Sequence, residues 1–334
     1  MNPTLAPPAP APHAQRVSNV QPSISCVVPA FNEAAGIAAF LTELCAHLAT
    51  LSSRHEVIVV DDGSRDSTVL EVIAASGGLP VKLVALSRNF GKEAAISAGL
   101  DEAHGEVVVI LDADFQHPFS TIGEFIRHWQ QGYDMVYGVR ADRRTDPMVR
   151  RFLSRSFYAI ISRGASVEIP ADAGDFRLMD QKVVAAIRDL PENSRFMKGL
   201  YNWVGFRSIG IPFEVAERAE GHSRFNFRRL FELAITGLTS FSSFPLRLWV
   251  GVGSLVSGIS IFYALFIVTR TLISGADVPG WATLVVAVTF LGGVQLFSIG
   301  ILGEYVARIF NEVKHRPNYL VAERHGFSRD DHRS

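Results

Sequence analysis

The segment VVVILDADFQHP, from Val107 to Pro118, leads from a run of apolar residues directly into two carboxylates, Asp112 and Asp114. Short runs rich in β-branched residues are typical of strands that are buried on both faces. Two like charges at the end of such a strand repel each other, and a divalent cation bound between them and a diphosphate would remove that repulsion. The alternative is a solvated turn with ordinary acidic residues, and the Asp-X-Asp spacing alone does not decide between the two.

Similar apolar runs surround this segment and alternate with helical patterns between Ser23 and Val139. The runs are Ile24–Val28, Val57–Val60, Val81–Leu86 and Met135–Tyr137, and the first helical pattern is Ile37–Leu51. The alternation predicts an α/β fold, in which a mostly parallel sheet is flanked by helices on both faces. Farther along, we expect helices near Met148–Arg163, Gln181–Leu190 and Phe196–Val204, and a strand near Ser208–Val215.

Ligands of such sheets bind beyond the carboxyl ends of the strands. The stretches that follow the five runs are PAFNE, DDGS, SRNFGK, DADFQHP and YGVR, and each contains at least one charged residue. In DDGS, one carboxylate of Asp61 and Asp62 can accept hydrogen bonds from a base or a ribose, or the pair can simply cap a turn. In SRNFGK, Arg88 and Lys92 are either phosphate contacts or solvated charges, and the sequence does not decide.

Composition excludes several classes of protein. The formal net charge of −1 gives no overall field that would favour nucleic acid. The two cysteines, Cys26 and Cys45, lie in apolar segments and read as buried thiols without a disulfide framework. The sequence contains no GxGxxG, GxxxxGK[ST], HExxH or GxSxG, so dinucleotide, P-loop, zinc peptidase and serine hydrolase sites lack support.

Two uncharged apolar stretches near the C-terminus, Leu248–Thr269 and Pro279–Gly303, are each long enough to span a bilayer. The alternative, two buried helices of a soluble domain, is disfavoured because apolar residues cover every face. Excess Lys and Arg on the outer flanks predicts that both termini are cytoplasmic. The predicted organisation is a disordered tail (1–22), a cytoplasmic catalytic domain (23–224), interfacial amphipathic helices (225–247), two transmembrane helices (248–303) and a cytoplasmic C-terminal tail (304–334).

The ordered motifs VVPAFNE, VVDDGSRDST, LSRNFGKEAAISAG, LDADFQHP and YGVRADR resemble the family 2 glycosyltransferases of the GT-A fold. More narrowly, the chain is similar to the polyprenyl-phosphate glycosyltransferases, which include dolichol-phosphate mannose synthase and the bactoprenol glucosyltransferases. GDFRLMD and the paired spans point to the bacterial branch. Each motif alone is weak, and the ordered set is specific.

The resemblance implies roles for particular positions. It implies nucleotide or donor contacts at Pro29, Phe31, Glu33, Val60, Asp62, Ala113, Gln116 and Arg140. It implies catalytic roles for Asp112, Asp114 and Asp175, with Asp112 and Asp114 holding Mg²⁺ or Mn²⁺, and acceptor-phosphate contacts at Arg218 and Arg224. Asp175 either orients the sugar, tunes the acceptor and metal, or simply pairs with Arg177.

The implied reaction transfers a hexose onto undecaprenyl phosphate at the bacterial inner membrane. The favoured donor is UDP-glucose. The partners are then a nucleotide sugar, the lipid carrier and membrane lipids, further copies of the chain, a separate flippase and a downstream glycosyltransferase. Alternatives are the same reaction with mannose, N-acetylglucosamine or 4-amino-4-deoxyarabinose, or an inactive membrane scaffold that binds a nucleotide sugar. A processive synthase is disfavoured because the sequence lacks a QxxRW motif.

Overall fold

The structure is a computed structural model that describes residues 21–140, 173–192, 195–214 and 280–327, with scattered positions between 253 and 273. The chain divides into two compact units. One comprises Met1–Arg151, Ile169–Phe225 and Pro317–Ser334, and the other comprises Phe152–Glu168 and Asn226–Arg316. The predicted helix near Met148–Arg163, the amphipathic helices, Arg218, Arg224 and nearly all of the N-terminal tail lie outside the described residues.

The first unit contains a sheet of eight described strands in the order β7-β5-β6-β4-β1-β2-β3-β8. The strands are β1 (Ile24–Ala30), β2 (His55–Asp61), β3 (Val81–Leu86), β4 (Val107–Ile110), β5 (Met135–Arg140), β6 (Ala173–Asp180), β7 (Ser208–Phe213) and β8 (Val321–His325). Four of the neighbouring pairs are parallel, and the three antiparallel pairs all involve β6 or β8. The predicted parallel core is therefore confirmed. Two strands that the apolar pattern did not indicate join it: β6 lies between β4 and β5, and β8 lies at the edge beside β3.

The described helices lie between the strands and carry apolar faces. They are α1 (Ile37–Leu51), α2 (Thr68–Ser76), α3 (Lys92–Glu102), α4 (Ser120–Gln130), α5 (Gln181–Arg188), α6 (Met197–Trp203) and α7 (Trp281–Val313). Helix α1 buries Ile37, Phe40, Leu41, Leu44, Cys45 and Leu48, which is the face that the spacing predicts. The side chains of β1, β2 and β4 are almost fully buried, so the central strands are rigid supports for the loops at their ends.

The segment after α7 differs from the predicted tail. Strand β8 pairs antiparallel with the edge strand β3, and the Tyr319 hydroxyl donates a 2.5 Å hydrogen bond to the carboxylate of Asp101. Arg324 donates to Glu102 at 2.9 Å. This part of residues 304–334 thus belongs to the sheet, and its sequence VAERH gave little signal because one edge strand exposes most of its side chains.

Helix α7 contains a segment, Phe290–Val313, that is long and apolar enough to cross a membrane. Its mean hydropathy is 1.4 and none of it is buried, and it is the single such helix in the described part of the chain. The second predicted span overlaps α7, while the first lies mostly outside the described residues. The number of spans therefore stays a prediction.

Helix α3 packs so closely on the sheet at Gly99 that a larger side chain would displace its neighbours. A Cβ atom at Gly99 would overlap Cγ1 of Val27 in β1 and lie 3.1 Å from Cγ2 of Val60 in β2. Close packing here matters for function because α3 begins at the site described below.

We predict that Gly99→Ala destabilises the protein by about 1–3 kcal/mol, because overpacking outweighs the gain of up to ~1 kcal/mol in helix propensity. The measurement is thermal or denaturant unfolding of the purified protein. Gly78→Ala is the matched control, since nothing lies within 4 Å of a Cβ atom at that position. A Gly99→Ala protein as stable as the control would contradict the packing argument.

Candidate active site

The carboxylates of Asp112 and Asp175 face each other at one edge of the sheet. Strands β4 and β6 are antiparallel and pair Ile110 with Arg177, and the same register two residues farther places Asp112 opposite Asp175. Because β6 runs against the parallel strands, its first residues lie where those strands end. Like charges directly opposite each other on neighbouring strands are destabilising, so this pair needs a positive partner.

The ammonium group of Lys92, in the first turn of α3, is that partner. Its Nζ lies 2.7 Å from Oδ1 and 2.9 Å from Oδ2 of Asp112, and 2.8 Å from Oδ2 of Asp175. The sequence left Lys92 open as a phosphate contact or a solvated charge, and the structure assigns it to neither role. Asp175 accordingly pairs with Lys92 rather than simply with Arg177, whose guanidinium lies 3.4 Å over the ring of Tyr201.

Burial and the shared lysine shift the pKa values of these two carboxylates in opposite directions. Burial alone would raise the pKa of Asp112, but the neighbouring His117 side chain and the charge of Lys92 hold it well below its usual range. Burial would likewise raise the pKa of Asp175, and Lys92 again lowers it below the ordinary value. Both groups are therefore ionised at neutral pH, although Oδ1 of Asp175 is buried without a hydrogen-bond partner.

The loop after β4 brings three further predicted residues together. The backbone N–H of Gln116 donates to Oδ1 of Asp114 at 3.1 Å, and Arg140 donates to Oε1 of Gln116 at 3.4 Å. Phe115, between them, has a φ of +58°, a left-handed conformation that few non-glycine residues adopt. Ala113 is buried in the core and Phe115 packs against it, so the loop is fixed from below.

The loop after β1 is fastened to the loop after β2. The side chain of Asn32 (φ +56°) accepts from the N–H of Arg65 at 2.8 Å, and its own N–H donates to Ser64 at 2.8 Å. The N–H of Glu33 donates to the hydroxyl of Thr68 at 2.9 Å. Phe31 stays 42% exposed at this edge, where a flat ring can stack on a planar ligand. Pro29 pairs with Val60 in the sheet and is partly buried.

The two acids at the end of β2, Asp61 and Asp62, accept hydrogen bonds from different loops. Asp62 accepts from the backbone N–H groups of Phe90 at 2.7 Å and Gly91 at 2.9 Å, so it anchors the loop that leads to Lys92. Asp61 accepts from Ser64 through one oxygen, and its other oxygen is buried without a hydrogen-bond partner. Val60 is fully buried, which leaves only its backbone for a ligand.

Gly63, which follows this pair, allows the two loops to meet. It has a φ of +68°, and a Cβ atom there would lie 2.6 Å from the backbone nitrogen of Asn89. A side chain at this position would push away the 88–91 loop and with it Lys92.

The site also contains residues that the sequence reasoning did not single out. His117 stacks on Phe176 at 4.7 Å between ring centroids, and its Nε2 lies 3.8 Å from Oδ2 of Asp112. Glu93 accepts from the N–H of Met197 at 3.1 Å and so ties α3 to α6. A signal was present, since His117 and Glu93 lie within motifs that follow strands, but sequence spacing does not reveal which groups meet.

In the described residues, no group of three or more His, Cys, Asp or Glu side chains is arranged to hold a metal ion. What the site offers is Asp112 and Asp114, two carboxylates at one strand end. Hard cations such as Mg²⁺ and Mn²⁺ commonly take one or two carboxylates and complete their coordination with substrate phosphates and water. The donor set therefore fits such a cation in the presence of a diphosphate.

A mixed sheet with acidic loops at the carboxyl ends of its parallel strands occurs in the glycosyltransferases of the GT-A fold. Residues 25–188 match the model of the Glycosyl transferase family 2 domain. The chain is 42% identical to the SfII prophage-derived bactoprenol glucosyl transferase of Shigella flexneri over 90% of its own length and 98% of that protein. The chain belongs to glycosyl transferase family 2 and is an enzyme of that family.

Two further proteins are similar over most of the chain. An uncharacterized glycosyltransferase of Synechocystis sp. is 44% identical over 90% of this chain and 95% of its own length. A solved mannosyltransferase of Pyrobaculum calidifontis, in complex with GDP-Man and Mn²⁺, aligns over 92% of this chain and 91% of its own with a TM-score of 0.46 and 17% identity.

Glu93 generates a prediction about pH. Burial, and next the charge of Asp175, raise its pKa from 4.5 to about 7. A carboxyl whose pKa is higher in the folded than in the unfolded protein binds more protons when folded. The contribution of Glu93 to the free energy of unfolding is therefore complete below pH 4.5 and is lost as the pH rises through about 7.

We predict that Glu93→Gln removes this loss. On going from pH 5 to pH 8, the free energy of unfolding of the variant should rise on the order of 2 kcal/mol relative to that of the natural protein. The measurement is unfolding at both pH values. Glu43→Gln, on the exposed face of α1, serves as the control and should follow the natural protein. Parallel pH dependences for Glu93→Gln and the natural protein would show that Glu93 is ionised throughout.

Proposed function

We propose that the chain transfers a hexose, glucose from UDP-glucose, onto undecaprenyl phosphate, with inversion at the anomeric carbon. The observation that carries the proposal is the arrangement of Asp112, Asp114 and Asp175 at one edge of the sheet, with the first two in the loop after β4 and Asp175 near the start of β6. The name of the Shigella flexneri relative, a bactoprenol glucosyl transferase, supports glucose as the sugar and a polyprenol as the carrier.

In this proposal Asp112 and Asp114 hold Mg²⁺ or Mn²⁺, as the donor set allows. When bound, the cation supplies positive charge that stabilises the departing diphosphate. Arg140, which already contacts Gln116 in the same loop, adds a second positive charge on the diphosphate side. Gln116 is mostly buried, and its contacts on both sides hold the loop in place for the donor.

The transfer itself needs no strong base. The acceptor is a phosphate monoester whose second pKa is about 6, so its oxygen is already largely deprotonated at neutral pH. That oxygen forms a bond to the anomeric carbon while the bond from this carbon to the diphosphate oxygen breaks. The electron pair leaves with the nucleoside diphosphate, no proton is transferred, and a single displacement converts an α-linked donor into a β-linked lipid phosphosugar.

Asp175 acts in this reaction as an ionised carboxylate. Its low pKa makes it a weak base, which fits a reaction whose nucleophile is already an anion. Its unpartnered Oδ1 can accept a hydrogen bond from a hydroxyl of the donor sugar and so orient the anomeric carbon. Arg218 and Arg224 are proposed to bind the acceptor phosphate, on the strength of the resemblance alone.

The nucleoside is proposed to lie between the loops after β1 and β2. Asp61, with one buried oxygen that lacks a partner, accepts a hydrogen bond from the base or the ribose, and the exposed Phe31 lies against a planar group. Pro29, Glu33 and the backbone of Val60 form the rest of this surface. Asp62 takes the role of a loop anchor, since backbone N–H groups occupy its oxygens.

The proposed setting is the bacterial inner membrane, with the catalytic domain and both termini in the cytoplasm and two spans. The apolar helix that includes Phe290–Val313 supports an attachment to the membrane. The product would be made on the cytoplasmic side, so a separate flippase and a downstream glycosyltransferase complete the pathway, and further copies of the chain are its proposed oligomeric partners. The alternatives are another donor sugar or an inactive scaffold that binds nucleotide sugar.

The first experiment uses purified full-length protein, undecaprenyl phosphate and a panel of labelled UDP- and GDP-sugars. We expect labelled glucose to enter the organic-extractable lipid from UDP-glucose in the presence of Mg²⁺ or Mn²⁺ and to be absent after chelation. Asp114→Ala should lower kcat by at least about 100-fold, because the diphosphate loses its charge stabilisation. Transfer from another sugar alone would replace the donor, and transfer from none would favour the scaffold.

The second experiment separates the two neighbouring acids. Asp61→Asn should weaken UDP binding about tenfold, as expected when a charged hydrogen-bond acceptor is lost. The readout is calorimetric binding of UDP to the intact protein, which requires no turnover. Glu71→Gln, in the first turn of α2, is the control and should bind UDP normally. Unchanged UDP affinity in Asp61→Asn would remove Asp61 from the nucleoside site.

A further inference from the structure

Lys92 occupies the one place in the described site where three carboxylate oxygens converge. Both oxygens of Asp112 lie within 2.9 Å of its Nζ, and Oδ2 of Asp175 lies at 2.8 Å. A compact, positively charged group ringed by carboxylate oxygens has the surroundings of a bound cation. Lys92 thus already neutralises the acid that the proposed function assigns to a divalent ion.

The backbone around Lys92 is held on both sides. On the N-terminal side of Lys92, the backbone N–H groups of Phe90 and Gly91 donate to the carboxylate of Asp62. On its C-terminal side, the carboxylate of Glu93 accepts a hydrogen bond from the N–H of Met197. Gly91 has a φ of +101°, a conformation that turns the loop into α3 at little cost for glycine. Such support is expected where the position of one side chain must be fixed and is unusual for a solvated lysine.

We propose that Lys92 is a positioning residue of the transfer reaction that holds Asp112 and Asp175 at a fixed separation and shares Asp112 with the divalent cation. This inference rests on the proposed function. A divalent cation bound with the donor would share Asp112 with Lys92, and the ammonium would still pair with Asp175. The ammonium therefore opposes cation binding to the free protein and keeps Asp175 in place during transfer.

The consequence is that loss of the lysine changes cation binding and catalysis in opposite directions. Without the ammonium, the two facing carboxylates become a more negative site, so the cation should bind more tightly. Without the same ammonium, Asp175 is no longer held opposite the donor, so turnover should slow. A residue with a purely structural role would lower both together.

The direct test measures Mn²⁺ binding to the intact, detergent-solubilised protein by electron paramagnetic resonance, with no nucleotide present. Lys92→Met should bind Mn²⁺ at least about fivefold more tightly than the natural protein, and Lys92→Arg, which keeps the charge, within about twofold of it. Lys92→Gln, a polar neutral replacement, should also bind more tightly and covers the case in which the methionine variant does not fold. Equal or weaker binding in whichever neutral variant folds would overturn the proposal.

Lys82→Met is the matched control. Lys82 also forms an ion pair with a carboxylate, at 2.9 Å from Glu56, but it lies near the start of β3, away from the site. Its loss should leave Mn²⁺ affinity and transfer unchanged. Tighter Mn²⁺ binding in Lys82→Met would show that any lost lysine has this effect and would overturn the assignment to Lys92.

The second arm measures transfer to the lipid. Lys92→Met should lower kcat about 100-fold while the donor KM changes less than about threefold, and Lys92→Arg should recover part of kcat. An undiminished kcat would overturn the positioning role. If the natural protein transfers no sugar, the proposed function fails, and the Mn²⁺ measurement still decides whether Lys92 competes with the cation.

Discussion

The site is organised by the need to hold two ionised carboxylates side by side at the edge of a buried sheet. Asp112 and Asp175 face each other across β4 and β6, where burial penalises both charges and proximity penalises them again. Lys92 offsets both costs with one ammonium group. The surrounding contacts keep this ammonium in place. Asp62 anchors the loop before Lys92, and Glu93 anchors the start of the helix after it. Because an unpaired buried charge is costly, the arrangement tolerates the loss of no member without a rearrangement of the others.

The direction of β6 explains how residues far apart in the chain meet. Parallel strands present only their carboxyl ends at the ligand-binding edge, so each contributes the loop that follows it. An antiparallel strand inserted beside β4 reverses this rule and presents its first residues at the same edge. Asp175 is near the start of β6, and Arg177, two residues later, already lies in the interior beneath it. The insertion thus adds an acid to the site without lengthening any loop, which keeps that acid on a rigid element.

The sequence predicted the parts of this fold that depend on apolar periodicity, and missed those that depend on contacts between distant residues. The five strands from β1 to β5 and the buried face of α1 follow from their apolar patterns. Strand β6 was not predicted because Asp175 and Arg177 interrupt its pattern, although both charges find partners after folding. The carboxylates of the DADFQHP loop were found from their position after a strand. The role of Lys92 does not follow from the sequence, since nothing local to SRNFGK indicates which acids it meets.

The ionisation state of Asp175 bears on which reactions this edge of the sheet can serve. A carboxylate with a lowered pKa is a weak proton acceptor, so the environment of Asp175 gives little help to a hydroxyl nucleophile that must lose its proton during attack. It suits a nucleophile that arrives as an anion, and a phosphate monoester is one. An anionic acceptor, however, is repelled by three aspartates, and positive groups near the acids must offset this repulsion. Lys92 and Arg140 supply such charge in the described residues. The chemistry of the acceptor and the presence of an ammonium among the acids are therefore two consequences of the same electrostatic requirement.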